Sequence, residues 1–251
     1  MSGPQPQKVR VRRTPAGLEL RVDGTLASVS RPGRALTGVV WWALAAPVLL
    51  LPPARRQVLL LGLAAGSVAR ALRRLDPDAR LVGVERDREV LRVARDEFDL
   101  DALRVEVAVE DALVWLRRER RRFDLVVEDL FLGPARSVHK PEWLAGEGYR
   151  LIRRRLREGG LLVSNTIHEM PQIVRAAAPV GRVLSLDVRG YHNRIVVAGR
   201  RLPSAREVRR RLAACSEPAL ASALRRLSIR RRHPRRPAAM ESDVSSPAEV
   251  P

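Results

Sequence analysis

The stretch that decides the fold is Val183–Val188 (VLSLDV), followed by Arg189–Arg194 (RGYHNR) and Ile195–Ala198 (IVVA). The first and last runs are short, apolar and rich in β-branched side chains, which predicts two strands. A crossover between parallel strands needs about a dozen residues or more, and these two runs are separated by six. The two strands are therefore expected to be antiparallel neighbours.

Upstream of this pair, apolar runs alternate with segments of helical period. Strands are predicted at Val58–Leu61, Leu81–Val84, Val105–Val109, Leu125–Val127 and Leu161–Val163. Helices are predicted at Ser67–Leu75, after Asp87, at Ala112–Arg118 and from Pro141 to Gly159-Gly160. This alternation implies right-handed crossovers and a mostly parallel α/β sheet that is doubly wound, with helices on both faces. A parallel sheet that ends in an antiparallel pair departs from the dinucleotide-binding order and is the arrangement of the methyltransferase fold.

Composition divides the chain into five segments. We expect a flexible basic leader at 1–16, a small β-hairpin and an apolar helix at 17–53, a methyltransferase-like domain at 54–200, C-terminal helices at 201–227, and a basic, then disordered tail at 228–251. The apolar run 35–51 is 17 residues long and contains Pro47. A membrane-spanning helix needs about 20 residues, so no membrane span is expected.

The charge of the chain is strongly positive. Its 251 residues carry a formal net charge of +19, and Lys8 and Lys140 are the two lysines beside 45 arginines. Such an excess favours polyanions as partners, and the seven arginines of Arg225–Arg236 are the best candidate for a contact with nucleic acid or another acidic surface. A single cysteine, Cys215, allows no internal disulfide, which suits the reducing cytoplasm. Four scattered histidines give no metal-binding spacing, so no metal is expected.

Ligands of open parallel sheets bind beyond the carboxyl ends of the strands. After the first such strand, Gly62, Ala64 and Gly66 form a tight loop of small residues that would let a nucleoside approach the backbone. Glu85 follows the second strand and would accept hydrogen bonds from a ribose diol. Asp111-Ala112 follows the third strand, where the carboxylate would accept from an adenine amino group, cap the next helix, or do both.

Acidic residues recur at four strand ends of this basic chain, namely Glu85, Asp87, Glu110, Asp111, Glu128, Asp129 and Glu169. The group predicts a local negative pocket that suits a sulfonium cation and hydroxyl or amino donors. Capping and the helix dipole explain several of these positions equally well. Asp129 is the first candidate for a catalytic carboxylate on the acceptor side, and His168 and Glu169 are weaker candidates for a base.

Several motifs, in this order and spacing, resemble the spermidine synthase family over about residues 17 to 199. They are Asp23-Gly24, Val58–Gly62, Val84–Asp87, Glu110–Ala112, Phe123–Asp129 and Asn193–Ala198. The resemblance implies a methyltransferase-like sheet, a small N-terminal β region, an oligomer, and binding of S-adenosylmethionine or its decarboxylated form. It also implies that Glu85 holds the ribose, Asp111 the adenine, and that Asp129 faces the amino or sulfonium end.

The chain departs from the family pattern on the acceptor side. The loop after the fourth strand normally reads D-S-[ST]-D-P, and here Leu132 stands where the second aspartate would deprotonate an amine. Loss of a positioned base costs roughly a hundred- to ten-thousand-fold in rate. We therefore expect a transferase that moves a methyl or aminopropyl group to an unknown small acceptor, without authentic spermidine synthesis. The alternatives are a non-catalytic nucleoside-binding homologue and a nucleic-acid methyltransferase that uses the arginine-rich tail.

Overall fold

A computed structural model of the chain describes residues 8–31, 39–53 and 56–234. The strands within these ranges are β1 Val9–Thr14, β2 Gly17–Val22, β3 Thr25–Ser30, β4 Gln57–Leu61, β5 Arg80–Glu85, β6 Val105–Val109, β7 Phe123–Glu128, β8 Leu156–Thr166, β9 Arg182–Val188, β10 Arg194–Gly199 and β11 Leu227–Arg232. The helices are α1 Val39–Ala45, α2 Ser67–Leu75, α3 Arg88–Phe98, α4 Ala112–Arg118, α5 Tyr149–Arg155, α6 Met170–Ala177, α7 Ala205–Ala213 and α8 Pro218–Leu224. Short 3₁₀ turns lie at Ala46–Leu50, Asp101–Leu103 and Ala178–Val180, and a π turn lies at Leu144–Gly148.

The main sheet has the strand order β11-β9-β10-β8-β7-β4-β5-β6 among the residues described. Strands β4 to β8 are parallel to one another, whereas β10 runs antiparallel to both of its neighbours, β8 and β9. The predicted antiparallel pair and the methyltransferase-like order are both confirmed. The carboxyl ends of the five parallel strands consequently share one edge, and the loops that leave them meet there.

Helices cover both faces of this sheet because its central strands are apolar on both sides. In β4, Val58 and Leu60 pack into one core and Leu59 and Leu61 into the other. The predicted apolar run 35–51 lies in the first core from residue 39 onward, where α1 and the following 3₁₀ turn bury Trp42 and Val48 completely; its first four residues lie outside the described ranges. No helix within the described ranges is both long and apolar enough to cross a membrane.

The N-terminal region is a three-stranded antiparallel sheet, β1-β2-β3, rather than a single hairpin. The expectation of a flexible leader over 1–16 is wrong for Val9–Thr14, which forms β1 and pairs along its whole length with β2. Val9 and Val11 pack against the core, and this alternation of apolar with charged residues stabilises a strand despite the arginines. The rest of the expected leader, 1–7, lies outside the described residues.

The end of the helix before β8 differs from the prediction. The helix expected from Pro141 to Gly159-Gly160 is shorter, because α5 ends at Arg155 and both glycines belong to β8. A Cβ on Gly160 would lie 3.1 Å from the backbone oxygen of Phe123, so the glycine allows neighbouring strands to approach closely.

The C-terminal segment also differs. Leu227–Arg232 forms β11 and pairs with β9, although a basic tail was expected from residue 228. Its buried face is supplied by Leu227 and Ile229, and the Arg232 guanidinium donates to Asp187 of β9 at 3.0 Å. The strand is therefore specified by two apolar side chains within an arginine-rich composition, and residues 235–251 of the expected tail lie outside the description.

Candidate functional site

A cavity of about 450 Å³ lies at the carboxyl edge of the parallel strands. The loops after β4, β5, β6 and β7 form one wall, and the β2–β3 hairpin with Trp41 forms the other. Of the predicted site residues, Gly62, Ala64, Glu85, Asp111, Ala112 and Asp129 all line it. The cavity therefore brings together residues that are up to 67 positions apart in the chain.

The loop after β4 has the tight backbone that its small residues predict. Gly62 and Ala64 both have positive φ, +85° and +46°. A Cβ on Gly62 would lie 2.8 Å from the backbone oxygen of Asp129, so only glycine allows the two loops to pass this closely. Gly66 acts differently from the prediction, since it is not among the residues that line the cavity and instead starts α2 against Leu100 and Leu103.

Glu85 is held at the end of β5 by backbone donors. Its Oε2 accepts from the amide of Ala64 at 3.0 Å, and its Oε1 accepts from the amide of Asp87 at 3.1 Å. Burial raises the pKa of Glu85, while these amides oppose the shift by stabilising the carboxylate. The Arg86 amide also stabilises the carboxylate. A carboxylate oxygen can accept more than one hydrogen bond, which is the requirement for binding two neighbouring hydroxyls beside these amides.

Asp111 serves as the N-cap of α4. Its Oδ1 accepts from the amides of Leu113 and Val114, at 2.9 and 3.3 Å. Capping and ligand binding are compatible, because one carboxylate oxygen caps the helix and the other, Oδ2, keeps its lone pairs. The neighbouring Glu110 also lines the cavity, but its carboxylate is paired with Arg118 at 2.8 Å.

Asp129 begins a chain of side-chain hydrogen bonds, called here the polar relay, that runs through Asn165 near the end of β8 to Asn193 in the β9–β10 turn. Its Oδ1 accepts from Asn165 Nδ2 at 2.8 Å, and Asn165 Oδ1 accepts from Asn193 Nδ2 at 3.0 Å. Burial raises the pKa of Asp129, whereas the charge of Lys140 and the Asn165 amide lower it. All three relay residues line the same cavity as Glu85, so they present fixed polar groups to it.

A buried ion pair fixes the loop between Asp129 and Pro141. Lys140 Nζ lies 2.6 Å from Glu128 Oε1 and 3.9 Å from the centre of the Phe131 ring. The Glu128 side chain is completely buried, and its Oε2 has no hydrogen-bond partner. Burial raises the pKa of Glu128, and Lys140 acts against that shift. Leu132 pairs with His139 across the same loop and lines the cavity.

Two buried serines that sequence reasoning did not single out, Ser28 of β3 and Ser67 of α2, join the N-terminal sheet to the loop after β4. The amide of Ala65 donates to Ser28 Oγ at 3.0 Å, and the amide of Val29 donates to Ser67 Oγ at 2.9 Å. Both serines are nearly inaccessible, at 1% and 2% exposure. These bonds join the hairpin to the glycine loop, so β3 becomes part of the site.

The remaining acidic candidates have structural partners elsewhere. Asp87 caps α3, and Glu169 accepts from the amides of Ile167 and His168 in a local turn. His168 is exposed, and neither it nor Glu169 is among the residues that line the cavity, so the structure does not support either as a base there. Across the described residues, no group of three or more histidine, cysteine or acidic side chains could hold a metal ion.

Comparison with known proteins gives a consistent class. No family model matches the chain. A probable spermidine synthase from Corynebacterium glutamicum is 20% identical and superposes over 90% of this chain and 88% of its own with a TM-score of 0.70. Human methyltransferase-like protein 13, solved with SAH, is 18% identical and covers 82% of this chain and 97% of its own, with a TM-score of 0.62. The chain is therefore a protein of the methyltransferase-like fold.

Curated relatives narrow the class. A probable polyamine aminopropyl transferase from Bifidobacterium longum is 27% identical over 183 residues, which cover 68% of this chain and 40% of the relative. A polyamine aminopropyltransferase from Mycobacterium tuberculosis is 32% identical over 170 residues, covering 62% of this chain and 30% of the relative. The chain thus spans less than half the length of these relatives. Within the methyltransferase-like fold, the sequence is similar to polyamine aminopropyltransferases.

Proposed function

We propose that this chain binds S-adenosylmethionine or its decarboxylated form and transfers a methyl or aminopropyl group to an acceptor. The observation that carries the proposal is the convergence of Glu85, Asp111 and Asp129 on one cavity of a strongly basic protein. Two structural neighbours were solved with ligands of this kind, SAH in one and the transition-state analogue AdoDATO in a spermidine synthase. The cavity has a volume that suits such a ligand, and its acidic lining residues suit the positive charge of a sulfonium.

Each cavity residue has a distinct task in this proposal. Glu85 accepts from the ribose hydroxyls, and Asp111 accepts from the adenine amino group through the oxygen that does not cap α4. Gly62 and Ala64 keep side-chain bulk away from the nucleoside, and Ala112 packs beside the base. Asp129 faces the sulfonium end, where a carboxylate stabilises a positive charge. A bound ligand supplies an electrophilic carbon on sulfur, and the relay from Asp129 to Asn193 orients the acceptor against it.

The acceptor side supports a reaction other than authentic spermidine synthesis. Leu132 lines the cavity at the position where the resembling family has its second aspartate. An amine acceptor would lose its proton there, and a leucine side chain cannot take it. We propose that the acceptor differs from a diamine, and a screen of acceptors with labelled donor tests this point.

The second candidate is a non-catalytic homologue that binds the nucleoside and performs no transfer. Leu132 favours it for the same reason, because the missing base removes a catalytic group and leaves the nucleoside side intact. The two candidates differ in one measurement. Incorporation of label into any acceptor, at a rate that depends on Asp129, supports the transferase, whereas tight binding without transfer in a broad screen supports the binding protein.

The main test is calorimetric titration with S-adenosylmethionine, its decarboxylated form and methylthioadenosine. Glu85→Gln should weaken binding of all three by about 1 to 3 kcal/mol, because charge-assisted hydrogen bonds to the ribose are lost. Glu158→Gln is the matched control, since Glu158 is exposed and pairs with Arg201 on the surface. Equal affinities in the two variants would remove the ribose assignment.

We also propose a cytoplasmic homo-oligomer. The single thiol of Cys215 suits a reducing compartment, and an oligomer is what the resemblance to the spermidine synthase family implies. Light scattering after size-exclusion chromatography measures the assembly directly. A mass equal to the 28.0 kDa of one chain at micromolar concentration would contradict the oligomer.

A further inference from the structure

A second concave surface adjoins the adenosyl cavity and has the opposite charge. Its volume is about 460 Å³, and it lies between the β9–β10 turn and the start of β11. We call it the arginine groove, because five arginines line it: Arg189, Arg194, Arg225, Arg226 and Arg230. Asp187 is the one carboxylate among its lining residues.

The positive charge of this groove is largely unpaired. Asp187 lies 3.0 Å from the Arg232 guanidinium and 3.9 Å from that of Arg230, so its single negative charge is already shared. Among the described residues, the other four arginines have no carboxylate within ion-pair distance, and all four are exposed. The groove therefore retains a net charge that would attract an anion with several negative groups.

The arginine groove is part of the sheet framework. Leu227 pairs with Val188 at the start of the β11–β9 ladder, and the Arg189 amide donates to the Arg226 carbonyl at 2.8 Å. These bonds fix the backbone on both sides of the groove. The arginines thus start from defined positions, which reduces the conformational entropy lost when they bind an anion.

Two residues join the groove to the adenosyl cavity. Tyr191 and Asn193 line both concave surfaces. Tyr191 is 45% exposed, so its ring is accessible for stacking. The Asn193 amide donates to Asn165, which donates in turn to Asp129, and a continuous polar path therefore leads from the groove to the proposed sulfonium end.

Resting on the proposed function, we propose that the acceptor is a single-stranded nucleic acid. Its phosphates would lie in the arginine groove, and one base would stack on Tyr191 at the mouth of the adenosyl cavity. Guanidinium groups match phosphate oxygens in bidentate geometry. A run of acidic residues would satisfy the arginines, but its carboxylate side chains offer no ring for Tyr191 and no base edge for the Asn193 amide. A polyamine would be repelled by the same arginines.

The transfer step balances without a further reactant. A nitrogen or oxygen lone pair of the nucleotide forms a bond to the carbon on the sulfonium sulfur. The carbon–sulfur bond breaks, and its electron pair remains on sulfur, which becomes a neutral thioether. The proton lost by the acceptor atom passes to the Asp129 carboxylate, whose pKa is raised by burial.

The test measures binding of a short, labelled single-stranded RNA of mixed sequence by fluorescence anisotropy over a series of salt concentrations. The test variant is Arg189→Gln/Arg225→Gln/Arg226→Gln. The control removes the same charge from exposed positions of α5, in Arg150→Gln/Arg153→Gln/Arg154→Gln. Each lost phosphate contact lowers the salt slope for single strands by about 0.7, so the groove variant should lose about 2 from the slope. Equal losses in the two variants would overturn the proposal.

Polyglutamate and Tyr191→Ala test whether the ligand is a nucleic acid. Stacking on one aromatic side chain contributes roughly a 5- to 150-fold gain in affinity for a base, so the variant should bind RNA more weakly by a factor in this range. Its affinity for polyglutamate should not change. Polyglutamate binding as tight as that of RNA, or an unchanged RNA affinity of Tyr191→Ala, would overturn the nucleic-acid assignment.

Titration of S-adenosylmethionine into the same variants separates the two proposals. If the wild-type chain binds RNA but no adenosyl ligand, the proposed function fails and the groove stands as a nucleic-acid site alone. If it binds the adenosyl ligand and transfers labelled methyl or aminopropyl to a diamine but not to RNA, the acceptor proposal fails and the transferase stands. Transfer to RNA that is lost in the groove variant and kept in the α5 control supports both.

Discussion

Replacing Lys140 by methionine tests whether the loop over the cavity depends on the buried Glu128–Lys140 pair. Methionine keeps most of the apolar stem and removes the ammonium group. At 2.6 Å and an effective dielectric constant of about 20, the attraction between the two charges is roughly 6 kcal/mol. Removing the lysine also removes the cost of desolvating it, which is several kcal/mol. The expected net loss in the free energy of unfolding is about 3 kcal/mol at pH 8.

The loss should depend on pH with a definite sign. Burial raises the pKa of Glu128 in the folded state, and Lys140 lowers it, so the variant raises this pKa further. A carboxyl group whose folded pKa exceeds its unfolded pKa contributes most stability below the unfolded value and loses that contribution as pH rises through the folded value. Lys140→Met should therefore regain stability as pH falls from 8 to 5, by at most about 1.4 kcal/mol per pH unit.

Urea denaturation at several pH values measures both effects. Lys8→Met is the matched control, because Lys8 is the other lysine of the chain and is exposed. Glu128→Gln/Lys140→Met should recover most of the loss, since no buried charge remains unpaired. A loss below about 1 kcal/mol at pH 8, the same loss at pH 5, or no recovery in the double variant would refute the reasoning.

Three further substitutions address the cavity and its loops. Gly66→Ala should lower the free energy of unfolding by about 1 to 2 kcal/mol, because φ is +80° and the new Cβ would lie 2.8 Å from Leu103 Cδ1. Urea denaturation measures the loss, and an unchanged midpoint contradicts the prediction. Leu132→Asp should place a proton acceptor at the position of the missing base. Transfer to a diamine, measured with labelled donor, should then be at least a hundred times faster than in wild type. An unchanged rate argues against this location for the base. Asn165→Leu removes a hydrogen bond that lowers the pKa of Asp129. The acidic limb of a plot of transfer rate against pH should therefore move to higher pH. An unmoved limb shows that the ionisation of Asp129 does not control the rate.

The sequence predicts the parallel sheet and its closing hairpin well because local spacing controls both. Six residues between β9 and β10 allow no crossover, and apolar runs such as Val58–Leu61 have no stable position outside a sheet buried on both faces. Gly62 and Glu85 are predictable for a similar reason, since both follow directly from the ends of strands. These features depend on residues close together in the chain.

What the sequence does not reveal depends on contacts between distant segments. Ser28 reaches the glycine loop across 37 positions, and Lys140 reaches Glu128 across a loop with no regular pattern. Arginine-rich composition also conceals the strands at Val9–Thr14 and Leu227–Arg232, where two apolar side chains on one face are enough once a partner strand is present. Composition alone predicts that both segments are flexible, but hydrogen bonding to a neighbouring strand makes each of them a β-strand.

The location of β11 also affects how copies of this protein meet in solution. Among the described residues, β11 is the outermost strand on its side of the sheet, and such a strand exposes unpaired amides and carbonyls to which another polypeptide could add by strand pairing. In β11 the exposed Arg230 and Arg231 are adjacent, and like charges opposite each other would oppose a second copy lining up there. Arginine-rich strands of this kind discourage sheet extension from one copy to the next, so copies of the protein would have to associate through another surface.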